Sequence, residues 1–189
     1  MNKKFSVKNY VDSHIDVMRI LDIKQVEDAI KTIKGVFLKK KIIAVCGNGG
    51  SAQTASHYIT DWNKMINIHT KKKFLGVCLS DNVGLITAYA NDISYQEIYA
   101  EQVKNLLSAG DLLIVISGSG NSENVIRAIK VAKKMNVKTL AICGYDGGKI
   151  KKLADQSVWI QSFDMQLCED AHLAFGHMVM KNICNLKIK

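Results

Sequence analysis

Residues 41–46, Lys-Ile-Ile-Ala-Val-Cys, run directly into Gly47-Asn48-Gly49-Gly50-Ser51-Ala52. A short unbroken apolar run is the signature of a strand buried on both faces, as in a parallel sheet covered by helices on both sides. The run recurs at 74–79, 112–116, 139–143 and 157–160. Segments with apolar residues three and four apart separate or follow these runs, at 52–64, 84–105, 122–135 and 170–186. Such alternation specifies an α/β fold, a five-stranded parallel sheet with helices on both faces. Before the first strand, Val11, Ile15, Met18 and Leu21, then Val26, Ile30, Ile33 and Phe37, mark two further helices. The chain lacks proline, and no linker, low-complexity stretch or repeat divides it. One domain over 1–189 is expected, with 1–40 as an N-terminal helical segment used in oligomerisation.

Composition excludes several classes. No apolar run reaches the roughly 18 residues of a membrane helix, and the polar residues 1–12 lack the apolar stretch of a signal peptide. The expectation is a cytoplasmic protein with no membrane partner. The five cysteines are scattered and never spaced C-x-x-C, against a disulfide framework or thiolate zinc site. Cys46, Cys78 and Cys143 lie in or at the end of apolar runs, as small hydrophobes. The net charge is +9, but its lysines are spread, with short clusters at 39–41, 71–73 and 149–152. Only Arg19 and Arg127 carry a guanidinium, the group suited to bidentate phosphate or base contacts, and no nucleic-acid motif is present. The charge reads as a solvated lysine surface that helps draw in an anionic ligand, with no nucleic-acid partner.

The chemistry gathers where strands end, since open α/β sheets bind ligands at the carboxyl ends of their strands. The first strand leads into Gly47-Asn48-Gly49-Gly50-Ser51-Ala52 and the third into Ser117-Gly118-Ser119-Gly120-Asn121-Ser122, each followed directly by a helix. Glycine lets backbone approach a ligand, helix N-termini aim amide donors at an anion, and serine hydroxyls add directional donors. Two such loops on one sheet can hold a phosphate from two sides. Neither is a Walker A loop. Gly47 and Gly49 with Ala52 keep only a weak dinucleotide-type match, and no acidic residue ends the second strand to meet a ribose, although Asp81 lies just beyond it.

Two imidazoles and two carboxylates form a third group. His57 and Asp61 are four residues apart on the helix opened by the first loop; Glu169 and His177 are eight apart near the C-terminus, on nearly one face. This set suits a divalent metal such as zinc, or a general acid and base. His14, His69 and His172 are assigned to ordinary surface or core positions.

Gly-Asn-Gly-Gly-Ser-Ala at 47–52, His57, Asn91-Asp92, Ile-Ser-Gly-Ser-Gly-Asn-Ser-Glu-Asn-Val at 116–125 and Gly-Tyr-Asp-Gly-Gly-Lys at 144–149 together resemble the phosphoheptose isomerases. These sugar isomerase (SIS) domain proteins interconvert sedoheptulose 7-phosphate and D-glycero-D-manno-heptose 7-phosphate. The resemblance covers nearly the whole chain. It implies a flavodoxin-like, three-layer αβα sandwich, and a homotetramer with active sites between subunits. It places Asn48, Gly49 and Gly50, with Ser51, and Asn91 and Asp92 in the sugar-phosphate site, and Ser117, Gly118, Ser119 and Ser122 on the phosphate. It puts His57, Asp61, Glu169 and His177 at metal positions, with Asp61 and Glu169 also facing substrate, and makes Asp61 and His177 the proton-transfer pair.

The chain departs from the family pattern at three of these positions. Gly118 stands where threonine is usual, Asp61 where glutamate is usual, and Glu169 where glutamine is usual. Asp61 sits one methylene farther from its target, and Glu169 adds negative charge beside any metal, which it would hold more firmly while lowering its Lewis acidity. The SIS fold also serves two other roles: a non-catalytic protein that binds a replication initiator, and a sugar-phosphate sensor. The retained histidines and carboxylates favour the enzyme, and the lack of an attached DNA-binding domain counts against the sensor.

Overall fold

The computed structural model describes residues 5–185. Five parallel strands, β1 (Ile43–Gly47), β2 (Gly76–Cys78), β3 (Leu112–Ser117), β4 (Lys138–Cys143) and β5 (Gln156–Trp159), form one sheet in the order 2-1-3-4-5. Side chains alternate across it. Ile43, Val45, Leu112, Ile114, Ile116, Leu140 and Ile142 face one core, and Ala44, Cys46, Leu113, Val115, Ala141 and Cys143 face the other. The first core is closed by α1 (Val7–Arg19), α2 (Ile23–Leu38), α3 (Gly50–Asp61) and α9 (Met165–Cys184). The second is closed by α6 (Ile98–Leu106), α7 (Glu123–Lys134) and α8 (Gly148–Leu153), with α5 (Val83–Asp92) along its edge. The expected three-layer αβα sandwich is present.

Four elements differ from the sequence reading. Segment 84–105 is two helices, broken where Ile93 leaves helical geometry and Ser94 is extended, before a 3₁₀ turn at Tyr95–Glu97. Residues 148–153 form α8, a helix too short and lysine-rich to show apolar periodicity. The last helix starts at Met165, where the Asp164 carboxylate accepts from the amides of Gln166 and Leu167; residue 186 lies outside the described residues. Segment 52–64 is α3 followed by a π-helical turn, Trp62–Ile66, and a short α4, Asn67–Thr70.

Strand order places the site. From β1 the chain goes outward to β2, then returns to lay β3 on the other side of β1. The helices that follow these two neighbours, α3 and α7, lie on opposite faces, so the loops after β1 and β3 diverge and leave a crevice. Both glycine–serine loops stand at this switch point.

Candidate active site

The crevice is a cavity of about 170 Å³ whose walls include Asn48, Ser51, Ser117, Ser119, Ser122 and Glu169, with Ile116, Gly118 and Met165 completing it. Gly49, at φ +54° and ψ −125°, holds a backbone conformation that only glycine adopts without strain. Ser6, Asp22, Asn82 and Asp164 cap their helices through side-chain bonds, whereas α3 and α7 start without one. In those first turns Ala52 N–H donates to the Asn48 and Gly49 carbonyls and Val125 N–H to Asn124 Oδ1 at 2.9 Å, which leaves the amides of Gly50, Ser51, Glu123 and Asn124 available to an anion. The second loop is braced from outside: Gly144 donates its amide to the Gly118 carbonyl, and Ile150 donates to that of Gly120. A β-carbon on Gly120 would overlap the Gly147 carbonyl. A β-carbon on Gly148 would likewise overlap the Ser119 carbonyl, and Gly147 holds φ +90°, which together account for the glycines at 147 and 148.

The two loops are tied together by Asn48 and by four residues that sequence reasoning missed, Ser80, Tyr95, Tyr99 and Asn124. Asn48 and the buried Asn124, at the start of α7, exchange reciprocal amide bonds of 2.9 Å each. Tyr95 donates to Asn48 Oδ1 at 3.2 Å, and the Tyr99 hydroxyl donates to the Gly47 carbonyl. Burial pushes the Tyr99 phenol well above its ordinary range, so it stays a donor. The Ser80 hydroxyl accepts from Gly47 N–H at 3.3 Å and donates to its carbonyl at 3.0 Å. The sequence signal for Asn124 was its place in the 116–125 motif, at the second position of α7 beside the Ser-Gly loop, where no role had been assigned to it.

α3 and α9 run side by side in the same direction, pairing Gly50 with Glu169, His57 with His177 and Tyr58 with Gly176. His57 Nε2 and His177 Nε2 are 3.2 Å apart, so one donates and the other accepts. Asp61 Oδ2 is 3.4 Å from His57 Nε2 and 3.7 Å from His177 Nε2. Ligands of a tetrahedral ion with bonds of 2.0–2.1 Å lie about 3.3–3.4 Å apart, so the three separations fit a first-row divalent ion such as zinc. Glu169 does not join this trio: it lines the cavity, and its carboxylate covers Gly50, where a β-carbon would overlap it.

The remaining candidates fall elsewhere. Asn91 and Asp92 sit exposed on the last turn of α5, bonded to each other at 2.8 Å, and do not line the cavity of their own chain. His69 bonds the Met65 carbonyl at 2.8 Å, and His14 Nδ1 lies 3.5 Å from Asp170. His172 is buried as assigned, but neither ring nitrogen has a partner, and burial lowers its pKa to about 4.

Residues 9–144 match the SIS domain family. Phosphoheptose isomerase from Aliarcobacter butzleri is 34% identical, with 97% of each chain covered. That from Helicobacter pylori is 39% identical over 137 residues, covering 72% of this chain and 71% of its own. This chain belongs to the phosphoheptose isomerase family. The solved phosphoheptose isomerase of Francisella tularensis superposes with a TM-score of 0.86 at 26% identity, covering 95% of this chain and 97% of that one. The protein is therefore a sugar-phosphate isomerase of SIS type, and the cavity, loops and trio are its candidate active site. No helix among the described residues is long and apolar enough to cross a membrane.

Proposed function

We propose that this isomerase interconverts sedoheptulose 7-phosphate and D-glycero-D-manno-heptose 7-phosphate through an enediol. The observation that carries the reading is the convergence of His57, Asp61 and His177 on the two helices that also bring Ser51 and Glu169 to the cavity. The serines and free amides of the two loops seat the phosphate, remote from the reacting carbons, and its binding energy fixes orientation. Asn48, Gly49 and Gly50 line the approach, and Glu169 accepts hydrogen bonds from sugar hydroxyls. Asp61 and His177 form the proton-transfer pair. One takes the proton from the carbon beside the carbonyl and the other supplies a proton to the carbonyl oxygen; reversal at the neighbouring positions gives the isomer. Asp61→Asn and His177→Ala are each expected to lower turnover of sedoheptulose 7-phosphate by about 10²–10⁴-fold. Unfolding temperatures should stay close to that of the unaltered protein. Unchanged turnover in both variants overturns the assignment.

A second use of the trio is supported by its 3.2–3.7 Å spacings, which suit a divalent ion, zinc first. His57, Asp61 and His177 would hold it, and it would supply electrophilic polarisation of the substrate carbonyl. The protein treated with a chelator should then lose turnover that added zinc restores, and His57→Ala should lower the zinc content measured by mass spectrometry. Full turnover by metal-free protein leaves the proton-transfer pair as the whole machinery.

The homotetramer with shared active sites belongs to the same proposal. Its support is α5, which buries no residue within the chain, and the placement of Asn91 and Asp92 away from their own cavity. The ligand class is a small sugar phosphate, with neither nucleic acid nor membrane as partner.

A further inference from the structure

Met165 and Glu169 are four residues apart on the first turns of α9, so they point the same way. Each lies on a glycine of one loop. A β-carbon on Gly118 would overlap Met165 Sδ, as one on Gly50 would overlap the Glu169 carboxylate. α9 is thus a third wall of the crevice, beside the two loops. On the Gly118 side that wall is a thioether, in a cavity whose other lining residues are polar apart from Gly118 and Ile116 at the end of β3.

We propose that Met165 is a specificity-determining residue, the apolar wall of the phosphate seat, and that position 118 is glycine so that the Met165 thioether can stand there. This rests on the reading of the crevice as a phosphate seat. A phosphate monoester presents three terminal oxygens that need donors, and an ester oxygen and carbon that need none. The serines and amides answer the first group. A polarisable, unbranched thioether answers the second, and it keeps water from the donors on that side. The wall selects a primary phosphate monoester, whose ester methylene packs on Met165, over inorganic phosphate, which has nothing apolar to offer it. Gly118 contributes its backbone and a vacant β-position; any side chain there would push Met165 aside.

The test is a double-mutant cycle of Gly118→Ala and Met165→Ala on the full chain. Calorimetry would measure binding of sedoheptulose 7-phosphate and of inorganic phosphate, with unfolding temperature as the control for folding. Met165→Ala is expected to weaken sedoheptulose 7-phosphate binding about five- to tenfold and inorganic phosphate less than about twofold. Gly118→Ala, by displacing the flexible thioether, should cost about tenfold alone but less than about twofold once Met165 is alanine. The proposal falls if Gly118→Ala costs the same in both backgrounds, or if Met165→Ala leaves sedoheptulose 7-phosphate binding unchanged. It falls equally if Met165→Ala weakens both ligands alike. Failure of the unaltered protein to bind either ligand overturns the phosphate seat as well, whereas binding indifferent to these substitutions overturns only the role of Met165.

Discussion

His172 lies on the buried face of α9 with both ring nitrogens unpartnered, and desolvation holds its pKa near 4. In the unfolded chain the same ring titrates near 6.5. Between those values the unfolded chain takes up a proton that the folded protein refuses. Its contribution to stability is complete above about pH 6.5, declines as pH falls, and is lost by about 3 kcal/mol once pH is below 4. His172→Leu should therefore flatten the pH dependence of unfolding free energy between pH 7 and 4, as read by urea denaturation at several pH values. A slope unchanged from the unaltered protein would place the acid sensitivity elsewhere. The residue scale also records what the sequence left unmarked. An asparagine inside a helix carries no sign of its partner, so Asn124 could be assigned only once the fold set it against Asn48.

At the scale of elements, the trio exists because α3 and α9 touch closely. Gly176 faces Tyr58, and a β-carbon there would overlap the Tyr58 ring, which is buried and stacked on Trp62 with centroids 4.9 Å apart. Trp62 in turn donates its indole N–H to the Gly176 carbonyl at 3.0 Å. The ring has no room to retreat, so Gly176→Ala must separate the helices. A loss of about 3 kcal/mol in stability is expected, in the range of core overpacking. His57 and His177, the immediate neighbours of Tyr58 and Gly176, should then move apart, and turnover should fall more than stability alone explains. Comparison with Ala171→Gly, another small-residue change on the same buried helix face, separates the two effects. If both variants lose turnover only in proportion to folded protein, the helix contact is not what sets the site. The glycine was visible in the sequence, but its facing ring was not, because helix contacts depend on crossing geometry rather than on spacing along one chain.

For the whole molecule, two helices leave apolar residues in water: Val83 and Leu85 on α5 and three residues on α1. α5 reads Val-Gly-Leu-Ile-Thr-Ala-Tyr-Ala-Asn-Asp and buries none of them; α1 exposes Val7, Val11 and Ile15. Apolar area left in water on two helices is what a partner subunit covers. Sedimentation should give a particle four times the 21.0 kDa chain, and Leu85→Glu on α5 should dissociate it. Because Asn91 and Asp92 share that helix, turnover is expected to fall with assembly. A monomeric but fully active variant would remove the subunit boundary from the site. The 26 Lys and Arg against 17 Asp and Glu act at this scale too, through a field that raises the encounter rate with a dianion and fades with salt.

The five strands, the two glycine–serine loops and the N-terminal helices were legible in the sequence, because apolar runs, wholly buried in β1 and β3, and glycine-rich strand ends leave local signatures. The break at Ser94 was not legible, since no glycine or proline marks it. Tertiary contacts decide it, with Tyr95 drawn to Asn48 and Tyr99 to Gly47. The histidines and carboxylates could be named from their types, yet their division could not. Only the parallel run of α3 and α9 puts Asp61 between two imidazoles and sends Glu169 to the cavity. The chain itself determined which chemistry it carries. Packing between elements distant in sequence, through Gly176 on Tyr58 and Met165 on Gly118, decided where each group stands.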